Sequence, residues 1–194
     1  VRSFTTGPFF LSKFELTHRQ WERFTGERPG FHDPRGTSPS GDISHIAPME
    51  QISARAALRV IPRMGLEIPD EDRWEYAARA WTQTRWHCGS TMMDLNGFGN
   101  FHPQVWHPGL NEDVWKETGP VNLLRPNGFG LFGVLGNVDE ICLGTPNDRD
   151  WTYVRRGGCY RDGDFTRLRT AYRTSLHPDE MWPGTGIRPM RSLR

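Results

Sequence analysis

The chain of 194 residues is 36% hydrophobic and 24% charged, and its formal net charge is +1. This length fits one domain with its own core, so we expect a single domain over residues 1–194. The near-zero charge gives no field that would attract nucleic acid or an anionic membrane, and no apolar run approaches the roughly 20 residues of a membrane span. We therefore expect neither a nucleic-acid partner nor a membrane span.

The predicted elements begin with a short strand at Phe9–Leu11. A helix follows, because Thr17 and Gln20 have the spacing of a capping box and Gly26 supplies a stop. The segment 26–47 is rich in Gly, Pro, Ser and Asp and is predicted to be a surface loop.

Two more helices and a few strands are predicted further along the chain. Ser53 caps the second helix, which Pro62 stops, and Asp70 caps a third helix that continues through Trp81. After residue 82 Gly, Asn and Pro recur so often that only short strands fit, and the best candidates are 151–154 and 187–190. The sequence therefore predicts a loop-rich α+β fold with about three helices.

The three cysteines are Cys88, Cys142 and Cys159. Their odd number and wide spacing fit neither a dense disulfide framework nor a CxxC metal site. We expect free thiols, and with them a cytoplasmic location.

Several motifs in order along the chain carry a family resemblance. They are IPDEDRWEYAAR at 68–79, NGFGLF at 127–132, GNVDE at 136–140, RRGGCY at 155–160 and GIR at 186–188. Together they resemble the formylglycine-generating enzyme-like, or sulfatase-modifying factor, family. The resemblance implies a loop-rich variant of the C-type lectin fold. It also implies a Gly-rich strand before Phe9, so we expect a domain that lacks its first strand or is excised from a longer protein.

The resemblance also implies a test for catalysis. Oxidases of this family carry two cysteines, five apart, between the RGG motif and the final Gly-Phe-Arg, and these bind copper and activate oxygen. Residues 161–170 contain no cysteine, and no carboxylate or hydroxyl replaces the soft thiolates that copper(I) selects. Cys159 alone cannot make the site and is predicted to be a small buried residue. Copper is not expected, and the resemblance favours a pseudoenzyme.

The family also holds structural calcium, and the resemblance implies two positions for it. The ligands implied for the first are Asn100, Phe101, Asp113 and Trp115. Those implied for the second are Gly136, Val138 and Glu140. Oxygen ligands supplied by loops suit calcium. The second position lacks a side chain, because Gly133 stands where the family usually has Asp or Asn.

Sequence patterns do not favour three other kinds of site. Gly128, Gly130 and Gly133 satisfy GxGxxG but follow no strand and open no helix, so a dinucleotide site is not favoured. His102 and His107 are five apart, and Pro103 and Pro108 break any helix there, which leaves no common helical face for a metal. No GxSxG nucleophile elbow is present.

The interval between Cys159 and Gly186 combines aromatic and charged residues typical of recognition surfaces. Its predicted ligand-binding residues are Tyr160, Arg161, Asp162, Asp164, Phe165, Arg167, Tyr172, His177 and Trp182. We expect a noncatalytic domain that recognises a protein or small ligand through these C-terminal loops. The alternatives are a copper-dependent oxidase that modifies sulfatases, a retroelement-diversified variable ligand-binding protein, and a scaffolding segment packed against other domains of a longer chain.

Overall fold

The structure is a computed structural model that describes residues 5–27, 46–102, 115, 117–144 and 152–193. Its helices are α1 (His18–Thr25), α2 (Ala54–Val60) and α3 (Glu71–Arg79), with 3-10 turns at Ile61–Met64 and Met92–Leu95. Its strands are β1 (Phe9–Leu11), β2 (Gly99–Asn100), β3 (Leu135–Gly136), β4 (Asp139–Leu143), β5 (Tyr153–Arg156), β6 (Arg173–Ser175), β7 (Thr185–Gly186) and β8 (Met190–Ser192). The predicted α+β class, with three helices and short strands, is confirmed. None of the helices described is long and apolar enough to cross a membrane.

The predicted helix starts are confirmed, and one predicted end is wrong. Thr17 and Gln20 form the capping box of α1, and Gly26 ends this helix at φ +75°. The third helix stops at Arg79 instead of continuing through Trp81, because Ala80 adopts a left-handed backbone with φ +46°. The Asn127 side chain explains this end. Its amide donates to the carbonyls of Ala77 and Ala78, which have no partner within the helix.

The main sheet has four strands in the order β6-β5-β4-β7, with β7 parallel to β4 and the other pairs antiparallel. β1 pairs with β8, and β2 with β3. The strand predicted at 151–154 lies two residues later in the structure, as β5, with residue 151 outside the described ranges. The strand predicted at 187–190 is wrong for three of its four residues, because 187–189 connect β7 to β8 and only Met190 belongs to a strand. Pro189, which has no amide hydrogen to donate, lies in this connection.

The core consists of two apolar clusters that take alternate side chains of β4. Cys142 belongs to the cluster that contains Trp74 and Val154. Ile141 belongs to the other, with Trp21 and Ile187. Because successive side chains of a strand point to opposite faces, β4 packs on both sides and is almost completely buried.

A buried ion pair ties the end of the chain to this central strand. Arg188 is fully buried, and its guanidinium donates to both carboxylate oxygens of Glu140 at 2.7 to 3.0 Å. It also donates to the carbonyls of Ser12, Lys13 and Phe132. A buried guanidinium with all its donors used holds several chain segments in one arrangement. Arg188 therefore holds β4 and the segments at residues 12–13 and 132 in a fixed arrangement, which we call the frame of the fold.

Candidate functional site

The C-terminal loop surface, which we define as residues 159–186, begins at the turn after β5. Gly157 and Gly158 have φ of +90° and +72°, a conformation that L side chains rarely adopt. A Cβ on Gly158 would lie 2.8 Å from Leu168, and one on Gly157 would lie 3.2 Å from Trp74. The two glycines let the chain leave the sheet and turn directly over the core.

Asp162 braces the first loop of this surface. One of its oxygens accepts from the Cys159 amide at 2.9 Å, and the Asp162 amide donates back to the Cys159 carbonyl at 3.0 Å. Its other oxygen lies 3.3 Å from Nη1 of Arg167. Asp164 similarly accepts from the amide and hydroxyl of Thr166. Local side-chain to backbone bonds of this kind fix a loop without regular structure.

The second loop, residues 177–182, is attached to α2. The Asp179 carboxylate pairs with the Arg55 guanidinium, and the Arg55 amide donates to the Pro178 carbonyl at 2.9 Å. The Asp179 amide donates to Nδ1 of His177. Beyond this brace the side chains of Met181 and Trp182 remain 61% and 48% exposed, which is high for large apolar residues.

A cluster of three polar side chains, which the sequence analysis missed, lies between the two loops. Asp139, Arg155 and Thr185 come from the adjacent strands β4, β5 and β7, and Nη1 of Arg155 lies 3.4 Å from Asp139 Oδ2 and 3.5 Å from the Thr185 hydroxyl. Trp182 covers Arg155, with the guanidinium carbon 5.6 Å from the ring centre. The sequence feature that could have revealed this cluster is the pair Asp139 and Glu140, two acidic residues in a strand that is otherwise apolar.

The environment of Asp139 shifts its acidity. Burial raises the pKa of this carboxyl to about 7, and the Arg155 guanidinium opposes that rise. Asp139 Oδ1 and Arg155 Nε are buried and have no hydrogen-bond partner within the described part of the chain. The floor of the loop surface therefore contains a carboxyl that changes charge near neutral pH.

The predicted ligand-binding residues differ in their exposure to solvent. Arg161, Asp164, Arg167, His177 and Trp182 are exposed, whereas Asp162, Phe165 and Tyr172 are half-buried. Tyr160 is only 5% exposed, and burial raises the pKa of its phenol to about 12. Phe165 packs against Phe101 at a centroid distance of 5.5 Å, so this ring serves the core.

All three cysteines are free in the structure, as the sequence predicts. Cys159 is buried, and burial raises its pKa above the ordinary range for a thiol, with Asp139 and Asp162 adding to the rise. Burial also raises the pKa of Cys142, and it raises that of Cys88 to about 12. The thiolate is the reactive form, so none of the three sites favours thiol chemistry.

The first predicted calcium position contains an unpaired ligand atom. Asn100 Oδ1 is buried and accepts no hydrogen bond from the described residues, while its amide nitrogen donates to the Glu117 carbonyl at 2.7 Å and to Asn137 Oδ1 at 3.3 Å. No described group donates to the carbonyls of Phe101 and Trp115. Asp113 lies outside the described residues. The residues present therefore fit an oxygen-seeking cation such as calcium.

At the second predicted position, hydrogen bonds within the fold already use the Glu140 carboxylate. Glu140 accepts from Arg188 and also from the Trp74 indole at 2.5 Å, so both oxygens are occupied. A Cβ on Gly133 would lie 2.5 Å from the Glu15 carboxylate, which fills the space of the missing side chain. Gly136 and Val138 stay as predicted backbone ligands only, and the described residues contain no group of three or more His, Cys, Asp or Glu able to hold a metal.

Comparison with known proteins gives the family. The Sulfatase-modifying factor enzyme 1-like domain matches residues 1–193. A formylglycine-generating enzyme of Thermomonospora curvata is 27% identical over 256 residues, covering 97% of this chain and 83% of that protein. One of Streptomyces coelicolor is 31% identical over 183 residues, covering 77% of this chain but only 56% of that protein.

Among solved structures, Treponema denticola variable protein 1 matches with a TM-score of 0.77 at 16% identity, covering 95% of this chain and 84% of that chain. This likeness confirms the fold that the sequence motifs predicted. The chain therefore belongs to the Sulfatase-modifying factor enzyme 1-like domain family.

Proposed function

We propose that this chain is a noncatalytic recognition domain that binds a protein or small ligand through its C-terminal loop surface. The observation that carries the proposal is the combination of braced loops with exposed aromatic and charged side chains, on a surface whose one cysteine, Cys159, is buried. Asp162 and Asp179 hold the two loops, and Arg161, Met181 and Trp182 project from them. Preorganised loops lose little conformational entropy when a ligand binds.

Trp182 is the central anchor of the proposed surface. Its ring lies on the Arg155 guanidinium while about half of its area stays exposed. Tryptophan and arginine are enriched among residues that dominate binding energy, especially where a partner can bury them completely. Arg161 and Arg167, in the first loop of the same surface, carry exposed guanidinium groups suited to carboxylate or phosphate groups on the ligand.

A copper-dependent oxidase is the second candidate, and the relatives named formylglycine-generating enzyme support it. Against it stands the chemistry of the loop surface, because Cys159 is its one thiol and is buried with a raised pKa. Copper(I) in proteins is held by soft sulfur ligands. Residues 160–186 offer no sulfur ligand apart from the thioether of Met181.

We further propose a structural calcium ion at the first position, held by Asn100 Oδ1 and the carbonyls of Phe101 and Trp115, with Asp113 as the charged ligand. The ion would cross-link two loops by hard-oxygen coordination and would take no part in chemistry. Asn100 already positions its free oxygen, because its amide nitrogen is fixed by the Glu117 carbonyl.

Immobilised peptide and glycan libraries test the recognition proposal. We expect the folded wild-type protein to retain members of one chemical class, and Trp182→Ala to bind them about tenfold or more weakly, as for an anchor residue. Phe24→Ala is the matched control, since Phe24 is 43% exposed on α1 and lies outside the C-terminal loop surface. Absence of any retained ligand, or equal binding by Trp182→Ala, would count against the proposal.

A further inference from the structure

An apolar groove lies along β1 and is separate from the C-terminal loop surface. It is a cavity of about 450 Å³ with residues 6–11 as one wall and Tyr76, Phe129 and Leu131 among the residues of the other. At one end the two walls meet, where the Phe132 amide donates to the Lys13 carbonyl at 3.0 Å. None of the side chains that line it is charged.

The wall formed by β1 is an open strand edge. Main-chain bonds join Leu193 to Pro8 and Ser12 to Pro189, each at 2.9 Å, and β1 pairs with β8 between them. Because hydrogen-bonded positions alternate in an antiparallel pair, the amide and carbonyl of Phe10 point toward β8. The amides and carbonyls of Phe9 and Leu11 then face the groove, and none of them has a hydrogen-bond partner in the described ranges.

Aromatic rings form the opposite wall and its rim. Tyr76, Trp81 and Phe129 contact one another with centroid distances of 5.5 to 5.7 Å. Trp81 is 75% exposed and Phe129 is 38% exposed, and Trp81 is held at φ +72°, a backbone conformation that L residues rarely adopt. This clustered aromatic surface is unusual for a site that contacts only water.

We propose that this groove accepts an extended apolar segment of a partner protein as an additional strand on β1. Unpaired donors and acceptors that recur at every second residue match the backbone of another extended chain. The aromatic wall would pack against the alternate side chains that point toward it, and its rings favour apolar ones there. One positive charge lies beside the groove, because Arg73 donates to Thr6 and lies over the Phe9 ring. The inference does not depend on the C-terminal loop surface.

Fluorescence anisotropy with a labelled octapeptide of alternating threonine and valine tests the proposal. A second octapeptide carries N-methyl groups on all its peptide nitrogens, which removes the backbone donors of both strand edges and leaves the side chains unchanged. We expect the N-methylated peptide to bind about tenfold or more weakly, and Phe129→Ala to weaken the unmodified peptide similarly, whereas Phe24→Ala has no effect. Equal binding of the two peptides to the wild-type protein would overturn the proposal, even if Phe129→Ala fails to fold.

Amide hydrogen exchange by NMR gives an independent readout. The amides of Phe9 and Leu11 should exchange rapidly in the free protein and become protected when the octapeptide is added. If they stay unprotected with peptide bound, the proposal is wrong. If they are already protected without peptide in a sample with the mass of a dimer, the occupant is a second copy of the chain, which also overturns the proposal.

Discussion

Nη1 of Arg167 lies 3.3 Å from Oδ1 of Asp162, and the two residues are five positions apart in the first C-terminal loop. The family resemblance implies that its oxidases carry a cysteine pair with this separation between the RGG motif and the final Gly-Phe-Arg. Arg167 is half exposed, so the ion pair itself adds little stability. The second oxygen of Asp162 caps the Cys159 amide, and this bond orders the turn. Asp162 therefore closes this loop through one hydrogen bond to the backbone and one ion pair.

Replacing Asp162 by Ala is predicted to expose Cys159. The change removes the cap on the Cys159 amide and also a negative charge that raises the pKa of its thiol. We expect alkylation of Cys159 in the native protein to accelerate about tenfold, because both the opening of the loop and the thiolate fraction increase. Mass spectrometry after timed labelling measures this rate at each cysteine.

Asp164→Ala is the matched control for that experiment, since this exposed carboxylate contacts Thr166 and leaves the Cys159 amide untouched. Equal labelling of Cys159 in the two variants would show that Asp162 does not brace the turn.

Removing the guanidinium of Arg188 is predicted to cost far more than removing an exposed one. Arg188→Met leaves the buried carboxylates of Glu140 and Glu15 without their cation, so the free energy of unfolding should fall by about 3–5 kcal/mol. Arg55→Met removes the exposed pair with Asp179 and should leave the urea midpoint almost unchanged. Similar midpoints for the two variants would contradict the role of Arg188 in fixing the frame.

Stability is predicted to depend on two buried carboxyls as pH changes. Burial raises the pKa of Glu15 and of Asp139 to about 7, above the value of about 4 in an unfolded chain. Between these values the folded state binds more protons than the unfolded state, so each group lowers stability as pH rises from about 4 to 7, by at most about 1.4 kcal/mol per pH unit.

Glu15→Gln and Asp139→Asn isolate these contributions because the amides do not titrate. We expect each variant to gain stability relative to wild type as pH increases from about 5 to 8, in urea unfolding at a series of pH values. A difference from wild type that stays constant across this range would show that the carboxyl does not change charge there.

Calcium is predicted to stabilise the fold through Asn100. An ion that binds only the folded state raises the melting temperature, and we expect a shift of several degrees in millimolar calcium relative to a chelator. Asn100→Ala should abolish this shift because it deletes the unpaired Oδ1, whereas Asp164→Ala should keep it. A calcium shift that survives in Asn100→Ala would place the ion elsewhere.

The sequence predicted those parts of the fold that depend on local chemistry. The capping box of Thr17 and the caps at Ser53 and Asp70 use hydrogen bonds within one turn, so their residue types alone locate the helix starts. The end of α3 could not be found in this way. It depends on Asn127, about fifty positions along the chain, whose amide takes the last carbonyls of the helix.

The polar cluster beneath the candidate site could not be predicted from the sequence. A local motif located the loops, but the joining of Asp139, Arg155 and Thr185 depends on the register of three strands, one of them parallel to its neighbour. The role of Glu15 was hidden by its distance along the chain from Gly133, beside which its carboxylate fills the space of a side chain. The burial of Tyr160 and the packing of Phe165 on Phe101 likewise follow from tertiary contacts that residue types do not reveal.

Titration with copper(I) against a chromophoric chelator, with Cys159→Ser beside the wild type and calcium present, tests most directly the claim that this surface works without copper chemistry. Because Cys159 is buried with a raised pKa and no other cysteine lies in residues 160–186, we predict that neither protein takes copper from the chelator. Tight binding by the wild type that Cys159→Ser abolishes would contradict the account and indicate an oxidase.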